Sequence, residues 1–401
     1  MNNFIFFEMK AYNFDEVVDR SGTHSFKYDL SKKIFGTEDI LSMWIADMDF
    51  KTPDFIVEAI KQRADHEIYG YTLTPESFYN SLIDWMKIRH QWEIKKSWIS
   101  FSPGIVPAVA ISVLAFSHPG DKIIIQPPVY SPFASMVKLN GRQLENNALI
   151  LKDGQYKIDF EDLERRIDSR TRMIIFCSPQ NPTGRVWEED ELRKLGEICV
   201  RKNILILTDE IHCDLVYADN KHIPFASLSE DIAKNCISTV APTKTFNVPG
   251  LYTSAVVIPN LKLKAEFDRV VTNLNLHNAN VFGLAAWDAA YQKGHEWLDQ
   301  LLVYLKGNIE YVKSYFSNHA PKLKVIDAQG TYLLWLDFTE FGMTDKELRD
   351  FMIHKAKVGT NDGPTFGPGG NGFQRLNIGV SRSIVEKACE RIANAIKELN
   401  F

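Results

Sequence analysis

The sequence predicts an α/β protein, with a large domain on a mostly parallel sheet joined to a smaller α+β domain. Short β-branched runs alternate with amphipathic stretches through the middle of the chain, and the pattern changes in the last third. The length, 401 residues, also exceeds what one core usually fills, so about two domains are expected.

Residues 122–126 (KIIIQ), 173–177 (MIIFC), 203–207 (NILIL) and 237–240 read as buried strands. Between them, residues 188–202 place Leu192, Leu195 and Cys199 on one helical face. Strand, helix, strand at this spacing gives βαβ units. Farther on, 301–316 reads as a helix, 324–326 and 332–337 as strands, and 383–399 as a closing helix. The expected division is a large domain over 50–290 and a small domain made of 1–49 with 291–401.

The chain is 45% hydrophobic and 24% charged with a net charge of −5, the balance of a globular protein that stays in water. It has no basic stripe to read nucleic acid, and no apolar run of roughly 18 residues to enter a membrane. The first ten residues contain Glu8 and are too short for a secretory signal, and Met9 offers a second start. Cys177, Cys199, Cys213, Cys236 and Cys389 are odd in number and form no CxxC pair. They are expected to be free, buried thiols in a reducing cytoplasm.

Polar signals follow three of the strands: SPQNPTG at 178–184, TDEIHCD at 208–214 and APTKTFNVPG at 241–250. Ligands of open α/β sheets bind beyond the carboxyl ends of the strands, so Asn181, Asp209 and Lys244 are placed to meet in one crevice. A lysine amine forms a Schiff base with an aldehyde cofactor. A carboxylate keeps a pyridine nitrogen protonated, and an amide hydrogen-bonds a ring hydroxyl oxygen. Taken singly, Asn-Pro-Thr-Gly is a turn, Asp209 a helix N-cap and Lys244 a solvated lysine. The chemical reading rests on their joint placement. Residues 102–109 (SPGIVPAV) open a helical pattern through Ile111 and Leu114, whose first N–H groups, at Ile105 and Val106, suit a phosphate. The plain alternative there is a Gly-Pro helix start.

In this order and spacing the motifs resemble the fold-type I pyridoxal 5′-phosphate (PLP) enzymes of the class I/II aminotransferase superfamily, over nearly the whole chain. The resemblance implies the aspartate-aminotransferase-like fold, PLP as cofactor, a small amino acid as substrate and a homodimer with shared active sites. It makes Lys244 the Schiff-base lysine and Asp209 the pyridinium partner. Asn181 would contact the ring hydroxyl oxygen, as would His212, which stands where many aminotransferases have a Tyr. Tyr130 resembles the aromatic that stacks on the ring, and Tyr71 the one that reaches the neighbouring subunit's phosphate. Arg375 resembles the arginine that grips the substrate α-carboxylate, with Arg382 as the nearby competitor. Ala241 replaces a usual phosphate-binding Ser, which leaves Thr243 as the hydroxyl ligand. Tyr252 replaces an Arg, so part of the phosphate site is unassigned. GTY at 330–332 resembles a substrate-facing loop and also reads as a strand start.

MWIADMDF at 43–50, DEIHCD at 209–214 and APTKTFN at 241–247 narrow the resemblance to the MalY/PatB-like cystathionine β-lyases, the C–S lyase branch. Asp47, in the first of these, is assigned with Arg375 to the substrate. The reaction implied is β-elimination from an S-substituted cysteine with Lys244 as base. An aminotransferase needs the same residues and is the alternative. A purely regulatory binding protein would have no use for the intact catalytic set.

Overall fold

The computed structural model describes residues 10–399, so the readings made for the first nine residues, Met9 included, lie outside the described residues. Seven strands form the main sheet: β1 (Ile99–Ser102), β2 (Lys122–Ile125), β3 (Gln143–Asn146), β4 (Thr171–Cys177), β5 (Leu205–Asp209), β6 (Cys236–Val240) and β7 (Ser254–Val257). Their order is β1-β7-β6-β5-β4-β2-β3. Only β7 runs against its neighbours, so the sheet is mostly parallel, as the sequence predicts. Along β4, Met173, Ile175 and Cys177 enter one core layer while Ile174 and Phe176 enter the other. Successive side chains point to opposite faces, and both faces are covered, which is why these strands read as continuous apolar runs.

Four helices matter for the site: α1 (Ile105–Phe116), α2 (Glu189–Lys202), α3 (His295–His319) and α4 (Arg382–Lys397). The side chain of Glu191 accepts from the N–H of Glu188 at 3.0 Å and closes the start of α2. Asn203, with φ 56°, ends it. That left-handed residue is the reason β5 begins at Leu205 and not at 203. α3 is longer than the expected 301–316 because its first turn also buries Trp297 and Leu298. The helix starts against Gly294, where a Cβ would lie 2.2 Å from Phe246 Cζ.

A second, antiparallel sheet has the order β8-β9-β11-β10, from β8 (Lys324–Val325), β9 (Leu333–Asp337), β10 (Asn361–Asp362) and β11 (Phe373–Asn377). α3 and α4 pack on each other beside it. Among the described residues no helix is long and apolar enough to cross a membrane.

Residues 43–50 run between the two sheets as a strap. From the large-sheet side, the Asn247 amide donates to the Met48 and Phe50 carbonyls, both at 2.8 Å, and accepts from Met48 N–H at 3.0 Å. From β11, the Asn377 amide donates to the Ile45 and Asp47 carbonyls, both at 2.6 Å, and accepts from Gly379 N–H at 2.7 Å. Both asparagines thus act as extra peptide groups for a stretch with little ladder of its own. Asn377 is fully buried, so Asn377→Leu would strand two carbonyls and one N–H. We expect a loss of about 2–4 kcal/mol in unfolding free energy, read by urea denaturation. An unchanged midpoint would show that the strap is held without it.

Candidate active site

The register of the main sheet sets Cys177, Asp209 and Thr239 level on β4, β5 and β6. The loops that leave these strand ends carry Asn181 and Lys244 back over the same edge. A cavity of about 450 Å³ opens there, and Ile105, Val106, Tyr130, Asn181, Asp209, His212, Thr243, Lys244 and Arg375 all line it. Tyr252 also borders it, at the position where the sequence left the phosphate site unassigned.

Asp209 is buried, and its carboxylate accepts from Ile211 N–H at 3.1 Å. Burial raises its pKa to about 7, against the opposing pull of that N–H and of Lys244. The same desolvation lowers the Lys244 amine to about 8. The amine donates to the Ala46 carbonyl on the strap. His212, one turn beyond Asp209, is held neutral, its pKa pressed to about 3 by burial and by the cations of Lys244 and Arg375. Its Nδ1 is buried and has no hydrogen-bond partner among the described residues.

Arg375 lies on β11, 5% exposed, over the face of Phe366 at 4.9 Å. Its Nη1 donates to Asn181 Oδ1 at 2.9 Å and its Nη2 to the Trp44 carbonyl at 2.8 Å and to Asn361. Among the described residues its Nε finds no partner and it forms no ion pair. Burial lowers its pKa to about 10. A guanidinium only donates, so Asn181 must turn Oδ1 toward it, which leaves the Asn181 NH₂ facing the cavity. The competitor Arg382 is occupied elsewhere, with its Nε on Asn308 Oδ1 at 2.8 Å.

α1 starts at this rim. Ala108 is the first of its N–H groups to reach back, to the Gly104 carbonyl at 3.1 Å. Pro107 has no N–H, so those of Ile105 and Val106 remain for an anion. Gly184, the last residue of the NPTG turn, has φ 72°, and a Cβ there would lie 2.8 Å from Ala328 Cβ. Its carbonyl accepts from Gln329 and Gly330 N–H, both at 2.9 Å, which fastens the turn to the loop leading into β9.

Two expected residues stand apart. Both oxygens of Asp47 are taken by Arg20, at 2.7 and 3.1 Å, so Asp47 offers Lys244 its charge and no free carboxylate. Tyr71 is wholly exposed at 102% and reaches no part of this cavity within the chain. Sequence reading missed Arg20, which sits in no motif, and Asn361 and Phe366, which flank Arg375 only in the folded chain. Asn247 lay inside a quoted motif without a role, and Asn377 two residues beyond Arg375, because their work is on main-chain atoms far along the sequence.

The set comprises an amine of depressed basicity, a carboxylate whose pKa burial has raised, two free N–H groups at a helix start and a guanidinium with no counter-ion among the described residues. Across residues 38–392 the chain matches the sequence pattern of aminotransferase class I and II. The chain belongs to this family. Among its members, cystathionine beta-lyase PatB of Bacillus subtilis (strain 168) is 44% identical over 385 residues, 96% of this chain and 100% of that protein. The crystal structure of cystalysin from Treponema denticola, which contains a pyridoxal 5′-phosphate cofactor, is similar with a TM-score of 0.95 and 36% identity, covering 98% of this chain and 100% of that one. The PLP-bound C–S lyase from Staphylococcus hominis gives a TM-score of 0.90 at 32% identity, covering 96% and 98%.

Asp209 gives this family member a pH-dependent weakness when the cavity holds no cation. Its folded pKa of about 7 lies above the unfolded value of 3.8, so stability is complete below about pH 4 and is lost as pH rises through 7. Without any ligand, Asp209→Asn is expected to be the more stable protein at pH 8, by a few kcal/mol, and to match the parent at pH 4. Thermal melts at the two pH values read the difference. A variant gaining nothing at pH 8 would mean that Asp209 is better solvated than its burial implies.

Proposed function

We propose that this chain is a PLP-dependent carbon–sulfur β-lyase, which converts cystathionine or a related cysteine S-conjugate to a thiol, pyruvate and ammonia. The likeness to PatB, cystalysin and a C–S lyase supports the reaction. The observation that carries the site is the buried, unpaired guanidinium of Arg375 facing Lys244 and Asp209 across one cavity.

The residues fit PLP on their own terms. A carboxylate raised to about 7 by burial calls for a cationic partner, which a protonated pyridine nitrogen is. The Ile105 and Val106 N–H groups, with the Thr243 hydroxyl, would hold the phosphate. The Asn181 NH₂ and His212 would face the ring hydroxyl oxygen, and Tyr130 the ring. When bound, PLP supplies an aldehyde that takes up the substrate amine and a ring that draws electrons from Cα.

The protein's share of the reaction follows. Arg375 grips the substrate carboxylate through its planar fork and fixes Cα before Lys244. An amine with a pKa of about 8 is free base to about a tenth at pH 7, far more than an ordinary lysine, and that fraction of Lys244 accepts the Cα proton as general base. Asp209, in a site screened from water, would keep a proton on the ring nitrogen of the bound cofactor. Loss of the thiolate from Cβ then needs no second substrate. The aminotransferase alternative uses the same residues and requires a keto acid.

The active unit is a homodimer in this reading. Tyr71 sits in a loop that also exposes Ile68, Tyr69 and Leu73, an apolar patch suited to a second copy. Residues 50–290 form the large domain and the remainder the small one. The enzyme works in the cytoplasm, where the cysteines, all free and buried, stay reduced.

Cystathionine is expected to give pyruvate, ammonia and homocysteine over many turnovers without added keto acid, and Lys244→Ala none. If thioethers yield nothing alone while 2-oxoglutarate drives steady glutamate formation, the protein is an aminotransferase. For the shared site, Tyr71→Ala and Lys244→Ala proteins are each expected to be nearly inactive. Mixed and exchanged, they form hybrid dimers with one sound site, returning about a quarter of parental activity. No recovery after demonstrated subunit exchange would place Tyr71 outside the partner's site.

A further inference from the structure

One carbonyl oxygen in the site serves two donors. Ala46 O accepts from the Lys244 amine and, at 2.9 Å, from the Tyr332 hydroxyl. Tyr332 is 1% exposed, and its ring meets His212 edge to face with centroids 5.9 Å apart.

An unusual backbone presents it there. Thr331 has φ 66°, a conformation that a β-branched residue rarely adopts. It is held in place by Thr331 N–H donating to the Leu215 carbonyl at 2.7 Å, and by the Tyr217 hydroxyl donating to the Thr331 carbonyl. Ile378 N–H in turn binds the Tyr332 carbonyl at 2.9 Å. Strain of this kind persists where surrounding contacts over-determine it, and it clusters at functional sites.

We propose that Tyr332 is a positioning residue for Lys244: its hydroxyl shares the Ala46 carbonyl with the lysine amine, and that sharing sets how tightly the amine keeps its proton. An oxygen that already accepts one hydrogen bond is a weaker acceptor for an ammonium, so the phenol favours the free base. The strap decides between this effect and simple loss of geometry. Its neighbouring carbonyls at Trp44, Ile45, Asp47 and Met48 are held by Arg375, Asn377 and Asn247. Ala46 O therefore keeps facing Lys244 when the phenol is gone, and the amine then has the oxygen to itself. The other charged or titratable groups facing the amine are Asp47, Arg375, Asp209 and His212, and Tyr332→Phe removes only the hydroxyl and keeps the ring that packs on His212.

The inference rests on Lys244 being the base of the proposed reaction, and its test reads the amine directly. In the full chain freed of cofactor, competition labelling with acetic anhydride across pH, followed by peptide mass spectrometry, gives the titration midpoint of Lys244. Tyr332→Phe is expected to raise that midpoint by about half a unit to one unit, the size of one modest hydrogen bond. In the loaded enzyme, turnover at pH 7 should then fall about three- to tenfold and recover above pH 9, with KM within about twofold. Replacing Tyr332 by 3-fluorotyrosine, a stronger donor, should move the midpoint down. It also keeps the test open should the phenylalanine variant fold poorly. A midpoint unmoved in both variants, or a loss of turnover equal at every pH, overturns the proposal. If the parent enzyme releases no pyruvate, the lyase reading fails, and the labelling result stands apart from it.

Discussion

Residues 44–50 have almost no strand partner of their own, yet their carbonyls lie at the centre of the site. Main-chain groups taken out of water must find partners, and here side chains from both sheets supply them: Asn247 from the large sheet's loop, and Asn377 and Arg375 from β11. Much else follows from that requirement. The strap fixes Ala46 O, and Ala46 O receives Lys244. Arg375 is held between the strap and Asn181, so the guanidinium and the amide that borders the cavity keep a fixed relation. The two sheets therefore meet through a segment that belongs to neither.

The electrostatics have one direction. Asp209 and Arg375 are buried and Lys244 is partly so, and for each of them desolvation is the largest influence, pushing it toward its neutral form. Charges elsewhere near the strap are treated differently. Lys27, without exposed surface, donates to Asp49 at 2.9 Å, and Arg20 bridges Asp47 and Asp49. The molecule can pair buried charge when the pairing is structural, and it leaves the cavity-facing charges without fixed counter-ions. A site built in this way is complementary to a ligand that brings a cation near Asp209 and anions near α1 and Arg375.

Much of this was legible in the sequence. β-Branched runs at regular spacing gave the parallel sheet, and polar residues just past three of them gave Asn181, Asp209 and Lys244. Lys244 and Asp209 are conspicuous because a strand end followed by a polar group is a local pattern. DEIHCD was readable as a motif but not as a division of labour. Asp209 and His212 turn to the cavity, whereas Glu210 binds His222 at 2.9 Å and Asp214 binds His90 at 2.7 Å on the buried side. Nor could sequence show that Asp47 is spoken for by Arg20, or that Asn203 delays β5. Those outcomes depend on pairings across the fold or on a single backbone angle, and neither leaves a periodic trace.

The strap and Asn377 are far apart in sequence, with Ile45 and its donor separated by 332 in residue number. On a ribosome the strap emerges early and β11 very late. The seven-stranded sheet, and with it Asn181, Asp209 and Lys244, has left the tunnel long before the donors on β11 arrive to hold Ile45, Asp47 and Trp44. Until then the carbonyls of Ile45, Asp47 and Trp44 lack the side-chain donors that hold them in the finished fold, so the seat of Lys244 is completed only by the last sheet of the chain.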